Sequence, residues 1–111
     1  MSEMHKFSED PMDAAAGEAA ELLKALAHPG RLRLLCAMVP CDRTVSELEA
    51  MLGESQPYVS GQLIKLRNEG IVACERDGRT MRYRLEDPRI RPLLERVYEL
   101  FCPIDGMPSG D

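Results

Sequence analysis

Residues 44–70 read TVSELEAMLGESQPYVSGQLIKLRNEG, and this stretch decides the fold. Thr44 with Glu47 three residues on is a capping box, the reciprocal side-chain and backbone pairing that opens a helix. Val45, Leu48, Met51 and Leu52 then recur at three- and four-residue steps, the apolar stripe of a helix that Gly53 ends. Ser55 follows as the N-cap of a second helix, with Pro57 in its first turn. Val59, Leu63 and Leu66 form the inner face of that helix, and Asn68-Glu69-Gly70 closes it. Two helices joined by so short a glycine-containing turn are a helix-turn-helix.

Toward the C-terminus, residues 71–76 and 79–85 read as two strands around an Asp77-Gly78 turn, a strong hairpin signal. In the second strand Met81, Tyr83 and Leu85 alternate with Thr80, Arg82 and Arg84, giving one apolar and one basic face. A last helix follows Asp87-Pro88. Its stripe is Ile90, Leu93, Leu94, Val97, Tyr98 and Phe101, and Pro103 stops it.

Toward the N-terminus, Ala15, Ala19, Leu22, Leu23 and Leu26 stripe a helix that starts near Met12. His28-Pro29-Gly30 ends it, since proline biases the residue before it away from helix. A second helix spans residues 29–39 with Leu32, Leu35, Cys36 and Val39 on its apolar side. The order is therefore ααααββα: a mainly α, winged helix-turn-helix fold with a β-hairpin wing. Residues 1–11 are expected to be a disordered segment, 12–102 a DNA-binding and dimerisation domain, and 103–111 a flexible tail. A core this small gains from further burial. The first and last helices are expected to supply it by packing against a second copy in a homodimer.

Net charge is −5, yet the charge is unevenly spread. Between Ser55 and Arg91 eight basic residues outnumber five acidic ones, so this stretch carries +3 and the rest of the chain −8. A basic segment on an acidic body is the footprint of a polyanion partner. Ser55, Gln56, Tyr58, Ser60, Gln62 and Lys65 populate the polar side of the second helix of the pair. Gln suits the major-groove edge of adenine and Lys suits phosphate, while Gly61 permits close approach. At the hairpin, Arg76, Arg79 and Arg82 can lie along phosphates or enter the minor groove. Double-stranded operator DNA is the partner these residues imply.

No apolar run approaches the ~20 residues of a membrane span, and the N-terminus lacks the apolar centre of a signal peptide. A cytoplasmic location without membrane contact is expected. There the four cysteines, Cys36, Cys41, Cys74 and Cys102, stay reduced unless a pair senses redox state. No C-x-x-C, no alternating strand–helix pattern and no His close to a Cys supports a thiol oxidoreductase or persulfide carrier, so no enzyme is expected.

The combination of residues 22–29 and 31–35, Thr44–Leu48, Ser55–Leu63 and Asp77–Leu85 resembles the ArsR/SmtB winged-helix repressors, across about residues 20 to 100. Members often bind metals. Here the third helix has no Cys and the last helix no His, so the resemblance implies no metal site and no cofactor. A soft thiolate site for arsenite, from Cys36, Cys41 and Cys102, stays open as the alternative. Within the family the chain is similar to the dithiol, persulfide-sensing branch of SqrR, BigR and HlyU. That branch carries one Cys on the second helix and one near the end of the last, and the matching residues are Cys36 and Cys102. The resemblance implies a redox sensor that releases DNA when low-molecular-weight persulfides or oxidants bridge this pair. Cys41 and Cys74 match neither position.

Overall fold

The computed structural model describes residues 11–102. The expectations for residues 1–10 and 103–111 lie outside the described residues. Among the described residues five helices and three strands follow in the order α1 (Pro11–Leu26), α2 (Pro29–Ala37), β1 (Arg43–Thr44), α3 (Val45–Leu52), α4 (Gln56–Asn68), β2 (Val72–Asp77), β3 (Thr80–Leu85) and α5 (Ile90–Phe101). Residues up to Leu32 form one compact unit and residues from Arg33 a second.

In the first unit α1 starts at Pro11, one residue before the expected start, with proline in its tolerated first position. Its stripe is largely uncovered. Leu26 is buried and Leu22 half-buried, but Ala15, Ala19 and Leu23 are exposed. His28 closes the break between α1 and α2 by accepting at Nδ1 from the amides of Gly30 and Arg31, at 3.1 and 3.3 Å.

The second unit holds a core of Leu34, Leu35, Met38, Leu48, Val59, Leu63, Leu66, Ile71, Val72, Ile90 and Leu94, each at most 2% exposed. Four helices, α2 to α5, therefore contribute leucines to one apolar centre, and truncating any such leucine to alanine costs about 2–5 kcal/mol. The capping box at Thr44 and Glu47 is present in both directions, at 2.9 and 3.1 Å. Gly53 takes the left-handed conformation (φ 68°) that ends α3. Ser55 Oγ accepts from the Tyr58 amide at 3.3 Å and opens α4. The turn between the two helices is Gly53-Glu54-Ser55.

Two details differ from the expected pattern. The wing has a third strand: the sheet order is β1-β3-β2, with Arg43 opposite Tyr83 and Thr44 opposite Arg82. An N-cap residue has extended backbone, so Thr44 (φ −88°, ψ 166°) serves both as cap and as strand. Two residues carry no alternation, which is why the sequence pattern cannot show this strand. The hairpin turn is also shifted by one residue. Asp77 pairs with Thr80, so the central residues are Gly78 and Arg79 rather than Asp77 and Gly78. Gly78 adopts φ +67°, the left-handed value that tight two-residue hairpin turns require at their first position.

Helix α2 ends at Ala37, two residues before the expected end, in tighter bonds from the amides of Met38 and Val39 to Leu35 and Cys36. Its terminal carbonyls are taken by arginines from elsewhere in the chain. Arg43 Nε donates to Ala37 at 2.8 Å, and Arg91 of α5 donates to Val39. Among the described residues no helix is long and apolar enough to cross a membrane.

Candidate nucleic-acid interface and thiol pair

Helix α4 buries Val59, Leu63 and Leu66 completely. At 100° per residue, the strip opposite that face is formed by Pro57, Gly61, Ile64 and Asn68, with Lys65 beside it. A Cβ at Gly61 would meet nothing within 4 Å, so the surface there is open. The polar residues singled out from the sequence flank this strip. Gln56 Nε2 donates to Ser60 Oγ at 2.7 Å, one turn along. The Ser55 hydroxyl is engaged in capping, Tyr58, Ser60 and Gln62 are half-buried, and Lys65 is exposed. Ile64 was not among the candidates drawn from residue type, yet it is 54% exposed. A helical wheel drawn from the buried leucines would have found it.

The wing carries most of the arginines singled out from the sequence. Arg76 and Arg79 are exposed at the tip, and Arg76 Nη1 reaches the Gly78 carbonyl at 3.5 Å. Arg82 pairs with Asp77 at 3.3 Å, and Arg84 with Glu75 and Glu86, each at 3.3 Å. These bridges are solvent-exposed and hold the two strands only weakly, so a polyanion can compete for the guanidinium groups. Cys74 lies opposite Tyr83 in the hairpin register. The Tyr83 hydroxyl is held above its ordinary pKa by burial and by its hydrogen bond with Cys74, against a smaller opposing effect of Arg67 from α4.

Arg33 of α2 fastens the turn of the helix pair. Its Nη2 donates to the Leu52 carbonyl at 2.9 Å, and its Nη1 lies 3.9 Å from Glu54. Cys36 lies one turn farther along the same helix.

All four cysteines are free thiols. Cys41 is exposed, whereas Cys36, Cys74 and Cys102 are half-buried. The Cys36 thiol is pushed above its usual pKa, first by burial and then by Cys102. Cys36 also lines a cavity of about 420 Å³ with Val39 and Pro40 on one side and Leu94, Glu95, Tyr98 and Glu99 of α5 on the other. Cys102 is the C-cap of α5, its amide donating to Tyr98 at 2.9 Å. The described residues contain no group of three or more His, Cys, Asp and Glu side chains placed to hold one metal ion.

A helix-turn-helix followed at once by a basic hairpin, with a third strand completing the sheet, is the winged-helix architecture of DNA-binding transcriptional regulators. The chain belongs to the arsR family of bacterial regulatory proteins, whose family model matches residues 28–73. It is 42% identical over 98 residues to the biofilm growth-associated repressor of Xylella fastidiosa, covering 88% of this chain and 85% of that protein. It is 32% identical over 91 residues to the transcriptional activator HlyU of Vibrio cholerae, covering 82% and 84%. The crystal structure of the transcriptional repressor BigR from Xylella fastidiosa superposes with a TM-score of 0.76 at 40% identity, over 85% of this chain and 93% of that one. These likenesses fit the BigR- and HlyU-like branch expected from the sequence, and these relatives are transcriptional regulators rather than enzymes.

Proposed function

We propose that this chain is a cytoplasmic repressor that binds two-fold-symmetric operator DNA as a homodimer. It releases that DNA when reactive sulfur bridges Cys36 and Cys102. The observation that supports the sensing step is that Cys36 lines a cavity together with Leu94 and Tyr98 of α5, the helix that Cys102 caps through its amide bond to Tyr98.

The chemistry balances without an external oxidant beyond the persulfide. A persulfide RSSH transfers its outer sulfur to one thiolate, leaving RSH and Cys–S–SH. Attack by the second thiolate on the sulfur attached to the first cysteine expels hydrosulfide and closes a disulfide. If both cysteines are persulfidated first, the same attack by a terminal sulfur closes a trisulfide, again with loss of hydrosulfide. In each route the sulfane sulfur is reduced and the two cysteines are oxidised. A relaxed disulfide needs Cα atoms within about 7 Å, and each added sulfur lengthens the reach.

A bridge would bind α2 to α5. Helix α2 also carries Arg33, which grips the turn before α4. A shift of an ångström or two in α2 therefore tilts the reading helices, which in a symmetric dimer must enter major grooves about one DNA turn apart. The dimer is supported by exposed apolar side chains on α5, Leu100 (61% exposed) and Phe101 (78%). On the DNA side, Gln56, Tyr58, Ser60, Gln62 and Lys65 serve the major groove, with Ser55 at the entry of the helix. Arg76, Arg79 and Arg82 serve the flanking phosphates.

The test is to treat reduced protein with an organic persulfide, digest it, and map the cross-links by mass spectrometry. The expected product joins the Cys36 and Cys102 peptides through two or three sulfurs, with Cys41 and Cys74 outside the link. Links confined to Cys41, or the absence of any link while DNA is still released, contradict the reading.

A further inference from the structure

The outermost strip of α4 is neither charged nor rich in hydrogen-bonding groups. It runs Pro57, Gly61, Ile64, with Asn68 at the end. Gly61 offers bare backbone with open space around it, and Ile64, one turn on, leaves more than half of its side chain in solvent. A β-branched apolar side chain gains nothing from that exposure. Every other apolar residue that α4 carries at its inner positions is fully buried, so the core has no use for Ile64.

We infer that Ile64 is a specificity-determining residue that reads the C5-methyl groups of thymines in the major groove, with Gly61 allowing the helix to sit deep enough for contact. The inference rests on the DNA-binding reading above. Major-groove edges differ not only in donors and acceptors but in the thymine methyl, the one apolar feature of the code. Gln56 and Ser60, already tied together at 2.7 Å, lie to one side of the strip, and Lys65 lies to the other. In that arrangement the polar side chains address base edges and phosphates along the flanks. The centre of the contact is apolar and is matched by methyl groups. The chain would then prefer sites with thymine at the positions under Ile64 even where no hydrogen bond is made.

The experiment compares two versions of one DNA fragment, taken from upstream of the chain's own coding sequence. One carries thymidine, and the other carries deoxyuridine throughout, which removes only the methyl groups. Binding of the full reduced chain is measured by fluorescence anisotropy, for wild type and for Ile64→Ala. Burial of one methyl-sized group corresponds to about fourfold in affinity. Wild type is expected to lose about fourfold per contacted methyl on the deoxyuridine fragment. Ile64→Ala is expected to bind the thymidine fragment correspondingly more weakly and to show little further loss on deoxyuridine.

Equal wild-type affinity for the two fragments overturns the inference. So does a deoxyuridine penalty that is undiminished in Ile64→Ala. An Ile64→Ala variant with altered oligomeric mass and an intact methyl dependence assigns Ile64 to a protein contact instead, and also overturns it. Failure of the wild type to bind the thymidine fragment with any salt dependence is a different result, because it removes the DNA-binding reading and this inference with it.

Discussion

The Cys36 thiol, on α2, holds its proton more tightly than an ordinary cysteine does, first because it is buried and second because of Cys102 at the end of α5. The thiolate is the nucleophile, so Cys36 is a poor first attacker at neutral pH. Alkylation of Cys36 by iodoacetamide, followed by mass spectrometry across pH, is expected to show a midpoint above that of an ordinary cysteine. Cys102→Ser removes only the smaller cause and is expected to lower that midpoint part of the way. The same shift bears on stability. The folded chain binds this proton more tightly than the unfolded chain does, so the contribution is full below the unfolded pKa and is lost as pH rises through the folded value. An unchanged midpoint in Cys102→Ser contradicts that smaller cause.

Asp87 shows the opposite sign. Its carboxylate accepts from the Arg89 amide at 2.9 Å and from the Arg89 guanidinium at 3.0 and 2.7 Å, just before α5. Those bonds hold its pKa below the usual carboxylate value. Asp87→Ala is expected to lower stability by about 0.5–1 kcal/mol near neutral pH, the modest size reflecting solvent screening. The difference from wild type is present above the unfolded carboxylate pKa and disappears as pH falls through the folded one. Urea unfolding at a series of acidic pH values checks this.

Arg33 links the thiol-bearing helix to the helix-turn-helix, through the Leu52 carbonyl and Glu54. If that link transmits the switch, Arg33→Ala is expected to form the Cys36–Cys102 bridge at a normal rate but to lose less DNA affinity on bridging than wild type. The comparison of cross-link yield with anisotropy separates the two steps. An undiminished loss of affinity in Arg33→Ala assigns transmission to other contacts, with the Arg91 bond to Val39 the next to test.

Phe101 and Leu100 are the most exposed large apolar residues of α5. Phe101→Asp is expected to shift the chain from dimer to monomer in sedimentation and to weaken operator binding by tenfold or more, since each half-site then binds alone, about 1.4 kcal/mol per tenfold. Circular dichroism is expected to show retained helix. A Phe101→Asp chain that stays dimeric excludes this face as the interface.

Much of the fold was legible in the sequence because its signals are local. Thr44 with Glu47, Ser55, and Gly53 fix the helix pair through capping chemistry, and the leucine spacing orients it. The wing was legible in kind, while its turn was misplaced by one residue. Asp77-Gly78 and Gly78-Arg79 both satisfy a glycine-centred turn, and the cross-strand register that chooses between them is a tertiary property. Strand β1 escaped because two residues have no period. The arginine ties from Arg33, Arg43 and Arg91 to distant carbonyls also left no trace in the sequence, since side-chain-to-backbone bonds over long separations follow no spacing rule. The pairing of Cys36 with Cys102 came from family resemblance alone; the structure adds that Cys36 faces α5 across a shared cavity.

The most direct measurement is the affinity of fully reduced protein for its own upstream DNA at one fixed salt concentration, before and after an organic persulfide, for wild type beside Cys36→Ser and Cys102→Ser. Tight binding by all three, with persulfide abolishing it in the wild type alone, is the expected result. Release of DNA by either serine variant on the same treatment contradicts the dithiol switch.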